Sequence, residues 1–167
     1  MTPAYLLLDA ARMGASLEEA KTLCNDCRNL YSGKRTQRLG KVAPYLCSLE
    51  EYPGLVAWFL EKGWGRSWGM AVCTRIEPDL CLRHFRKFLT VWTEEQKQLY
   101  FRFYDPRVLH MFLPTCDRQQ LTDFFGPVDA FLMEDETGVG VVEYRQEGGV
   151  LRRKQIDNKA VFLAPQN

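Results

Sequence analysis

The apolar positions of the chain alternate between the spacing typical of strands and the spacing typical of helices. Residues 4–10 are apolar except for Asp9, which is typical of a central strand. Residues 16–27 begin with a capping-box sequence, and residues 50–62 and 78–89 place apolar side chains on one helical face. The pattern therefore predicts an early strand and three helices in the first half of the chain.

A second transition from strand to helix lies near the middle of the chain. Residues 99–104 are aromatic or aliphatic apart from Arg102, a pattern that favours a buried or half-buried strand. Asp105 and Pro106 predict the start of a helix, because aspartate accepts a bond from an unpaired helical amide and proline lacks that amide. Arg107 then falls in the first helical turn, where the helix dipole disfavours a cation. We therefore expect a carboxylate close to Arg107.

Together these patterns predict an α+β fold, with a mixed β-sheet covered by α-helices and a β-rich C-terminal tail. Strands of the sheet are expected near residues 4–9, 68–73, 88–92 and 99–104. Helices between successive strands permit parallel pairing, although the last two strands are close enough for a hairpin. The last part of the chain carries three short strand patterns and a Gly148-Gly149 turn. We divide the chain into a core domain, residues 4–127, and a C-terminal extension, residues 128–167.

Composition and charge exclude several classes of protein. The chain has 167 residues, of which 46% are hydrophobic, enough for a packed core. Its formal net charge of +1 gives no overall attraction to nucleic acid or to an acidic membrane. No apolar run approaches the roughly 20 residues that a membrane helix needs. We therefore expect neither a membrane nor a nucleic-acid partner, and we interpret the basic segment 31–41 as a solvated loop.

The residue types that carry chemistry do not form a known catalytic or metal-binding pattern. The six cysteines, at positions 24, 27, 47, 73, 81 and 116, lie mostly in apolar surroundings, so we expect free thiols without a disulfide. Cys24 and Cys27 have the spacing of half a zinc site, but no second pair follows. Both histidines, His84 and His110, fall in predicted helices. We expect no metal, no cofactor and no catalytic site.

Six short blocks of the sequence carry a resemblance to a known family. In chain order they are Tyr5-Leu-Leu-Leu-Asp9, Ala43-Pro-Tyr-Leu46, Trp64-Gly-Arg-Ser-Trp68, Leu82-Arg-His-Phe-Arg86, Phe101-Arg-Phe-Tyr-Asp-Pro-Arg-Val-Leu109 and Phe124-Phe-Gly-Pro127. Together they resemble the effector adaptor (effector chaperone, Tap/TEC) family of bacterial type VI secretion systems, formerly catalogued as a domain of unknown function. Phe85 departs from the family pattern, in which leucine is commoner. The resemblance covers residues 4–127, and residues 128–167 match no part of it.

The resemblance implies a non-enzymatic adaptor that binds a toxic effector and helps to load it onto the VgrG spike. It also implies that the protein stays in the cytoplasm, and we expect it to be monomeric when free. For the contact with a partner we favour Trp64, Arg66, Trp68 and Arg107, because tryptophan and arginine are enriched in binding hot spots.

A small nucleic-acid-binding module is the alternative interpretation of the same residue types. Arginines and aromatic side chains on one surface could bind phosphates and stack on bases. The residues concerned are Arg66, Arg83, Arg86, Arg102, Arg107, Trp64, Trp68, Tyr100 and Tyr104. The near-zero net charge instead favours aromatic side chains in the core and arginines on its solvated exterior.

Overall fold

A computed structural model describes residues 2–31, 33 and 39–162 of the chain. Strands β1 to β9 are Tyr5–Asp9, Cys27–Asn29, Pro44–Ser48, Gly69–Thr74, Thr90–Trp92, Gln98–Tyr100, Val128–Glu134, Val141–Glu147 and Val150–Ile156. Helices α1 to α6 are Ala10–Met13, Ser16–Leu23, Pro53–Trp58, Pro78–Arg86, Pro106–Phe112 and Arg118–Phe125. Shorter turns are the π-helical turn Phe59–Gly63 and the 3-10 turns Leu113–Thr115 and Lys159–Phe162. Most of the predicted loop 31–41, and residues 163–167 of the C-terminal extension, lie outside the described residues.

The helices largely follow the predicted positions, with corrections at both ends of α2. This helix ends at Leu23 and not near residue 27, because Cys27 begins strand β2. Helix α3 and its π-helical turn occupy most of the predicted segment 50–62, and α4 and α5 begin at prolines, as expected. The capping box predicted at the start of α2 is wrong, because Ser16 is already helical and no side chain caps the helix at Ala15. Within the described ranges, none of the helices has both the length and the apolarity needed to cross a lipid bilayer.

The main sheet has seven strands in the order β2-β3-β1-β4-β7-β8-β9. The interior strand β1 is buried along its whole length, with Leu6, Leu7 and Leu8 fully enclosed. The α+β class is confirmed, but the prediction of a mixed sheet is wrong, because each pair of neighbouring described strands is antiparallel. Both faces of the sheet are buried near its centre. Strands there need apolar side chains on both faces, so their sequences do not alternate between apolar and polar residues.

The strands predicted near residues 88–92 and 99–104 do not join the main sheet. They form β5 and β6, which pair with each other in a separate two-stranded sheet. The position beside β4 is taken by β7 instead. The prediction that residues 99–104 form one buried strand is also wrong, since Tyr100 is exposed and β6 ends there, whereas Phe103 and Tyr104 are buried outside any strand.

The C-terminal extension contributes three strands to the main sheet. Strand β7 pairs with β4, β8 follows it, and β9 forms an edge. The Gly148-Gly149 turn between β8 and β9 is confirmed, and both glycines have positive φ angles, 59° and 76°, as the tight turn requires. Residues 128–156 therefore share one sheet and one core with the preceding part of the chain.

One disulfide corrects the prediction that all six cysteines are free. Cys27 and Cys47 lie directly opposite each other on β2 and β3, with Cα atoms 4.0 Å apart, and their sulfurs are bonded. Cys24, Cys73 and Cys81 are buried free thiols, and burial raises the pKa of Cys73 and of Cys81 to about 12. In the part of the chain that the structure describes, no three His, Cys, Asp or Glu side chains are placed to hold a metal ion.

Candidate functional site

The candidate site lies at the end of the sheet where β1 stops and β4 starts. Asp9, the last residue of β1, is fully buried, and its backbone N–H donates to the carbonyl of Trp68 at 2.7 Å. One carboxylate oxygen of Asp9 accepts a bond from the N–H of Ala11, 3.0 Å away, and so caps α1. The other oxygen forms an ion pair with Arg102. Three of the six resembling blocks therefore meet at Asp9.

Asp105 organises the start of α5 in the predicted way. Its carboxylate accepts the N–H of Arg107 at 3.0 Å, and Pro106 occupies the first helical position. The same carboxylate accepts two further bonds from the guanidinium of Arg107, from Nε at 3.0 Å and from Nη2 at 2.6 Å. The carboxylate expected near Arg107 is therefore Asp105 itself. Because Asp105 is buried while the Arg107 side chain is 57% exposed, the pair holds a cation at the surface.

Replacing Asp105 with alanine is expected to lower the free energy of unfolding by about 2 kcal/mol, because both a helix cap and a two-bond ion pair are lost. Equilibrium denaturation in urea measures the change. The matched control is Asp117→Ala, which removes the cap of α6 alone and should cost about 1 kcal/mol. Equal losses in the two variants would contradict a contribution from the Arg107 pair. An unchanged stability would contradict the role of Asp105 as a helix cap.

Glu134 at the end of β7 holds the loop of residues 64–68 in place. One of its carboxylate oxygens accepts the N–H of Gly65 at 2.7 Å, and the other accepts the N–H and the hydroxyl of Ser67, both at 3.0 Å. Gly65 and Ser67 have φ angles of 78° and 56°, and a non-glycine residue is uncommon in that conformation. The buried carboxylate therefore stabilises a loop shape that the chain alone would not favour.

Sequence reasoning missed Glu134, although one feature could have indicated it. A glutamate that directly follows the apolar run Phe131-Leu-Met133 must either reach solvent or find hydrogen-bond donors inside the protein. Here it finds donors in a segment more than sixty residues earlier in the chain. Nothing in the local sequence specifies that pairing.

The two tryptophans of the loop have different positions. Trp68 is only 6% exposed and packs against Trp58, with ring centroids 5.6 Å apart, so its side chain lies in the core of this structure. Trp64 is half-buried, and its indole N–H donates to the carbonyl of Val139 at 3.2 Å. Its ring also contacts Phe162, with centroids 5.2 Å apart. Trp64 thus fastens the loop while keeping part of its surface exposed.

Arg66 lies on the outside of the same loop. Its guanidinium carbon is 5.7 Å from the centre of the Trp68 ring, within the range of a cation–π contact. The backbone carbonyl of Arg66 accepts a bond from the guanidinium of Arg12 at 3.0 Å. The Arg66 side chain is exposed, so the loop presents a cation whose position the buried tryptophan restricts.

His110 joins α5 to the C-terminal strands. Its Nε2 lies 2.8 Å from the backbone carbonyl of Glu134, and its Nδ1 lies 2.9 Å from the hydroxyl of Tyr144. A carbonyl only accepts, so Nε2 carries a proton and donates to it. The hydroxyl of Ser67 is directed at the Glu134 carboxylate, so His110 and Ser67 are not arranged as a base and a nucleophile.

These elements enclose a groove of about 330 Å³, which we call the arginine groove. Its lining includes Gly65, Ser67, Pro106, Arg107, His110, Met111 and residues 134–138. Met111 is 71% exposed at its rim, beside the cation of Arg107. The groove therefore combines an exposed apolar side chain with a fixed positive charge, which is the composition of a polar-rimmed protein contact.

The acidic wall of the arginine groove is already engaged by the protein. Burial raises the pKa of Asp135, but hydrogen bonds from Thr137, from Gln155 and from the loop backbone outweigh this effect and lower the pKa to about 2. Glu136 forms an ion pair with Arg153 at 2.7 Å. With these carboxylates occupied, the groove offers a partner its arginine and its apolar rim.

Two of the remaining blocks meet on the other side of the core. His84 of α4 lies with Nε2 2.8 Å from the carbonyl of Phe124, and burial lowers the pKa of its imidazole. Gly126 follows α6 with a φ of 48°, and a β-carbon there would lie 2.6 Å from the imidazole ring. This contact explains a structural role for both blocks without placing either in the groove.

Comparison with known proteins gives one match. The family model described as "Domain of unknown function (DUF4123)" matches residues 4–123. Neither the curated proteins nor the solved structures contain a match to this chain. The matched region includes Asp9, Arg66, Asp105 and Arg107, whereas Glu134, which fixes the loop of residues 64–68, lies beyond it.

Proposed function

The chain belongs to the DUF4123 family, and we propose that it is a non-enzymatic adaptor that binds a type VI secretion effector and helps to load it onto the VgrG spike. The proposal starts from the resemblance of the six sequence blocks to effector adaptors. The observation that carries it is that three of those blocks meet at the buried Asp9, and that two of them, around Ser67 and Arg107, also line one exposed, arginine-bearing groove. On this proposal the protein acts in the cytoplasm and is monomeric before it meets the effector.

The arginine groove suits reversible binding of a protein better than covalent chemistry. Its arginine is Arg107, which the buried Asp105 positions. Arg66 lies exposed on the loop whose Gly65 and Ser67 line the groove, above the ring of the buried Trp68. Restricting an arginine before binding lowers the entropy lost when a partner carboxylate pairs with it. Met111 adds an exposed apolar side chain to the same groove as Arg107. We therefore propose that an acidic and apolar surface of the effector occupies the groove.

The binding test uses the effector encoded beside this gene and two arginine variants. Arg66→Ala should weaken the complex roughly tenfold, as for a peripheral hot-spot residue. Arg107→Lys keeps the charge near Asp105 but loses the planar two-bond geometry, so it should weaken binding by a similar factor. Isothermal titration calorimetry provides the dissociation constants.

The control for these variants is Arg83→Ala, an exposed arginine on α4 away from the groove. It should leave the affinity unchanged. Equal loss in Arg66→Ala and Arg83→Ala would indicate a nonspecific effect of charge, and no loss in either Arg66→Ala or Arg107→Lys would remove the groove from the interface. Binding of a nucleic acid that weakens steeply with salt would favour the alternative function, a nucleic-acid-binding module.

A further inference from the structure

The hairpin formed by β5 and β6 exposes more apolar surface than a short surface element needs. Trp92 is 68% exposed and Tyr100 is 59% exposed, and Val91 and Leu99 are also exposed. Register places Trp92 and Tyr100 on one face of the hairpin and Val91 and Leu99 on the other. Both faces therefore carry large apolar side chains that contact solvent.

The backbone of the hairpin also has hydrogen-bonding groups directed outward. Thr93 N–H donates to Lys97 O, and Phe101 N–H donates to Leu89 O. In an antiparallel ladder, pairs of opposite residues that are hydrogen-bonded alternate with pairs that are not. Val91 and Leu99 form the next bonded pair between them. The N–H and C=O groups of the intervening strand residues, Thr90, Trp92, Gln98 and Tyr100, consequently point away from the hairpin on its two edges.

The free edge of the main sheet provides a contrast. Strand β9 carries Arg152, Arg153 and Lys154 in succession, and charged side chains of this kind discourage pairing with another strand. Neither strand of the hairpin has a charged residue, since their sequences are Thr-Val-Trp and Gln-Leu-Tyr. A two-stranded hairpin is only marginally stable in water, whereas a third strand gives such a sheet independent stability. The hairpin can therefore pair with another strand, whereas the charged side chains of β9 discourage such pairing.

Charge at the tip of the hairpin indicates the sign of its partner. Glu94 and Glu95 are both exposed there, and Lys97 pairs with Glu95 at 2.7 Å. The tip therefore retains a net negative charge. A segment that runs along either edge and carries a basic residue near the tip would be complementary in backbone, apolar side chains and charge.

We infer that the β5–β6 hairpin is a second docking element, which takes an extended apolar segment of the effector, with a basic residue near the tip, as a third strand. The inference rests on the proposed adaptor function and adds a surface distinct from the arginine groove. The outward N–H and C=O groups can hydrogen-bond to a third strand along an edge of the hairpin, and Trp92 provides an apolar contact for its side chains. Pairing through backbone bonds would bind an effector segment through its extended shape and its pattern of side chains.

The first test measures affinity for the effector encoded beside this gene with the full chain. Trp92→Ala should weaken binding about 30-fold, the loss expected for a hot-spot tryptophan, and should leave thermal stability nearly unchanged because the side chain is mostly exposed. The matched control is Val150→Ala, an exposed apolar residue on the protected strand β9, which should bind as the wild type does. Equal affinity of Trp92→Ala and wild type would overturn the inference.

The second test measures amide hydrogen exchange in the free protein and in the complex. The amides of Thr90, Trp92, Gln98 and Tyr100 should exchange rapidly when free, and those on one edge should become protected by at least tenfold in the complex. The inward amides of Val91 and Leu99 serve as internal controls. A complex that leaves all four outward amides unprotected would contradict strand addition.

These tests separate failure of the inference from failure of the proposed function. If the wild-type protein does not bind the effector at all, the adaptor function itself is wrong. If the wild type binds the effector and Trp92→Ala binds it equally well, only the docking element is wrong. A free protein that dimerises, and that becomes monomeric on Trp92→Ala, would show that a second copy of this chain occupies the hairpin and would also overturn the inference.

Discussion

Replacing Arg102 with alanine is expected to lower the free energy of unfolding by about 3 kcal/mol, because it leaves the fully buried carboxylate of Asp9 without its ion-pair partner. Burial already raises the pKa of Asp9, and the hydrogen bond and charge of Arg102 offset only part of that rise. Since the Arg102 side chain is itself partly exposed, we expect the lower end of the range for broken buried pairs. Urea denaturation at neutral pH measures the loss.

A double-mutant cycle shows whether the effect arises from this ion pair. Asp9→Asn in the Arg102→Ala background removes the unpaired charge, so the double variant should recover part of the stability lost in Arg102→Ala. The amide of asparagine can still accept a bond from the N–H of Ala11 and preserve the cap of α1. If the double variant loses as much stability as the two single variants together, the ion pair is not the source of the effect.

Replacing Glu134 with alanine is expected to lower the free energy of unfolding by about 3 kcal/mol and, on the adaptor proposal, to abolish binding of the effector. The substitution removes three hydrogen bonds to the buried carboxylate and leaves the buried N–H of Ser67 without its acceptor. The loop would then lose the conformation that positions Arg66 and one wall of the arginine groove. Both losses follow from one side chain, so they should appear together.

The neighbouring Glu136→Ala is the control for Glu134→Ala. Glu136 is exposed and forms a surface ion pair with Arg153, so its removal should cost less than about 1 kcal/mol. Denaturation gives the stabilities, and hydrogen exchange at Gly65 and Ser67 reports on the loop directly. Unchanged exchange at these two amides in Glu134→Ala would contradict the role of Glu134 in holding the loop.

The features that could be predicted from the sequence are those with local causes. Asp105 caps a helix that begins one residue later at Pro106, and both effects depend only on adjacent backbone groups. The need for a carboxylate near Arg107 also follows from its place in the first helical turn. The carboxylate proved to be only two residues away, so this part of the site was visible in a single short segment.

The features that could not be predicted depend on the register of distant strands. The pairing of β4 with β7, which excludes the 99–104 segment from the main sheet, joins residues far apart in the chain. The Cys27–Cys47 disulfide likewise depends on the register between β2 and β3. Hydrophobic patterns identify strands but do not specify which strands pair, so both corrections lie beyond sequence reasoning.

Trp68 illustrates the same limit within the candidate site. Tryptophan is common both in cores and in binding hot spots, and the loop sequence contains two of them. The contact with Trp58 places Trp68 in the core, whereas the cation of Arg66 above its ring remains at the surface. The role of Arg66 as a contact therefore stays a prediction, and Trp68 lies beneath its guanidinium.

The most direct test of the adaptor proposal is co-expression of this protein with the effector encoded beside its gene, followed by size-exclusion chromatography. The proposal predicts that the two proteins elute together as a stable complex, and that the effector is unstable or is not loaded in a strain lacking this gene. Separate elution of two folded proteins, together with normal export of the effector from that strain, would contradict the adaptor function.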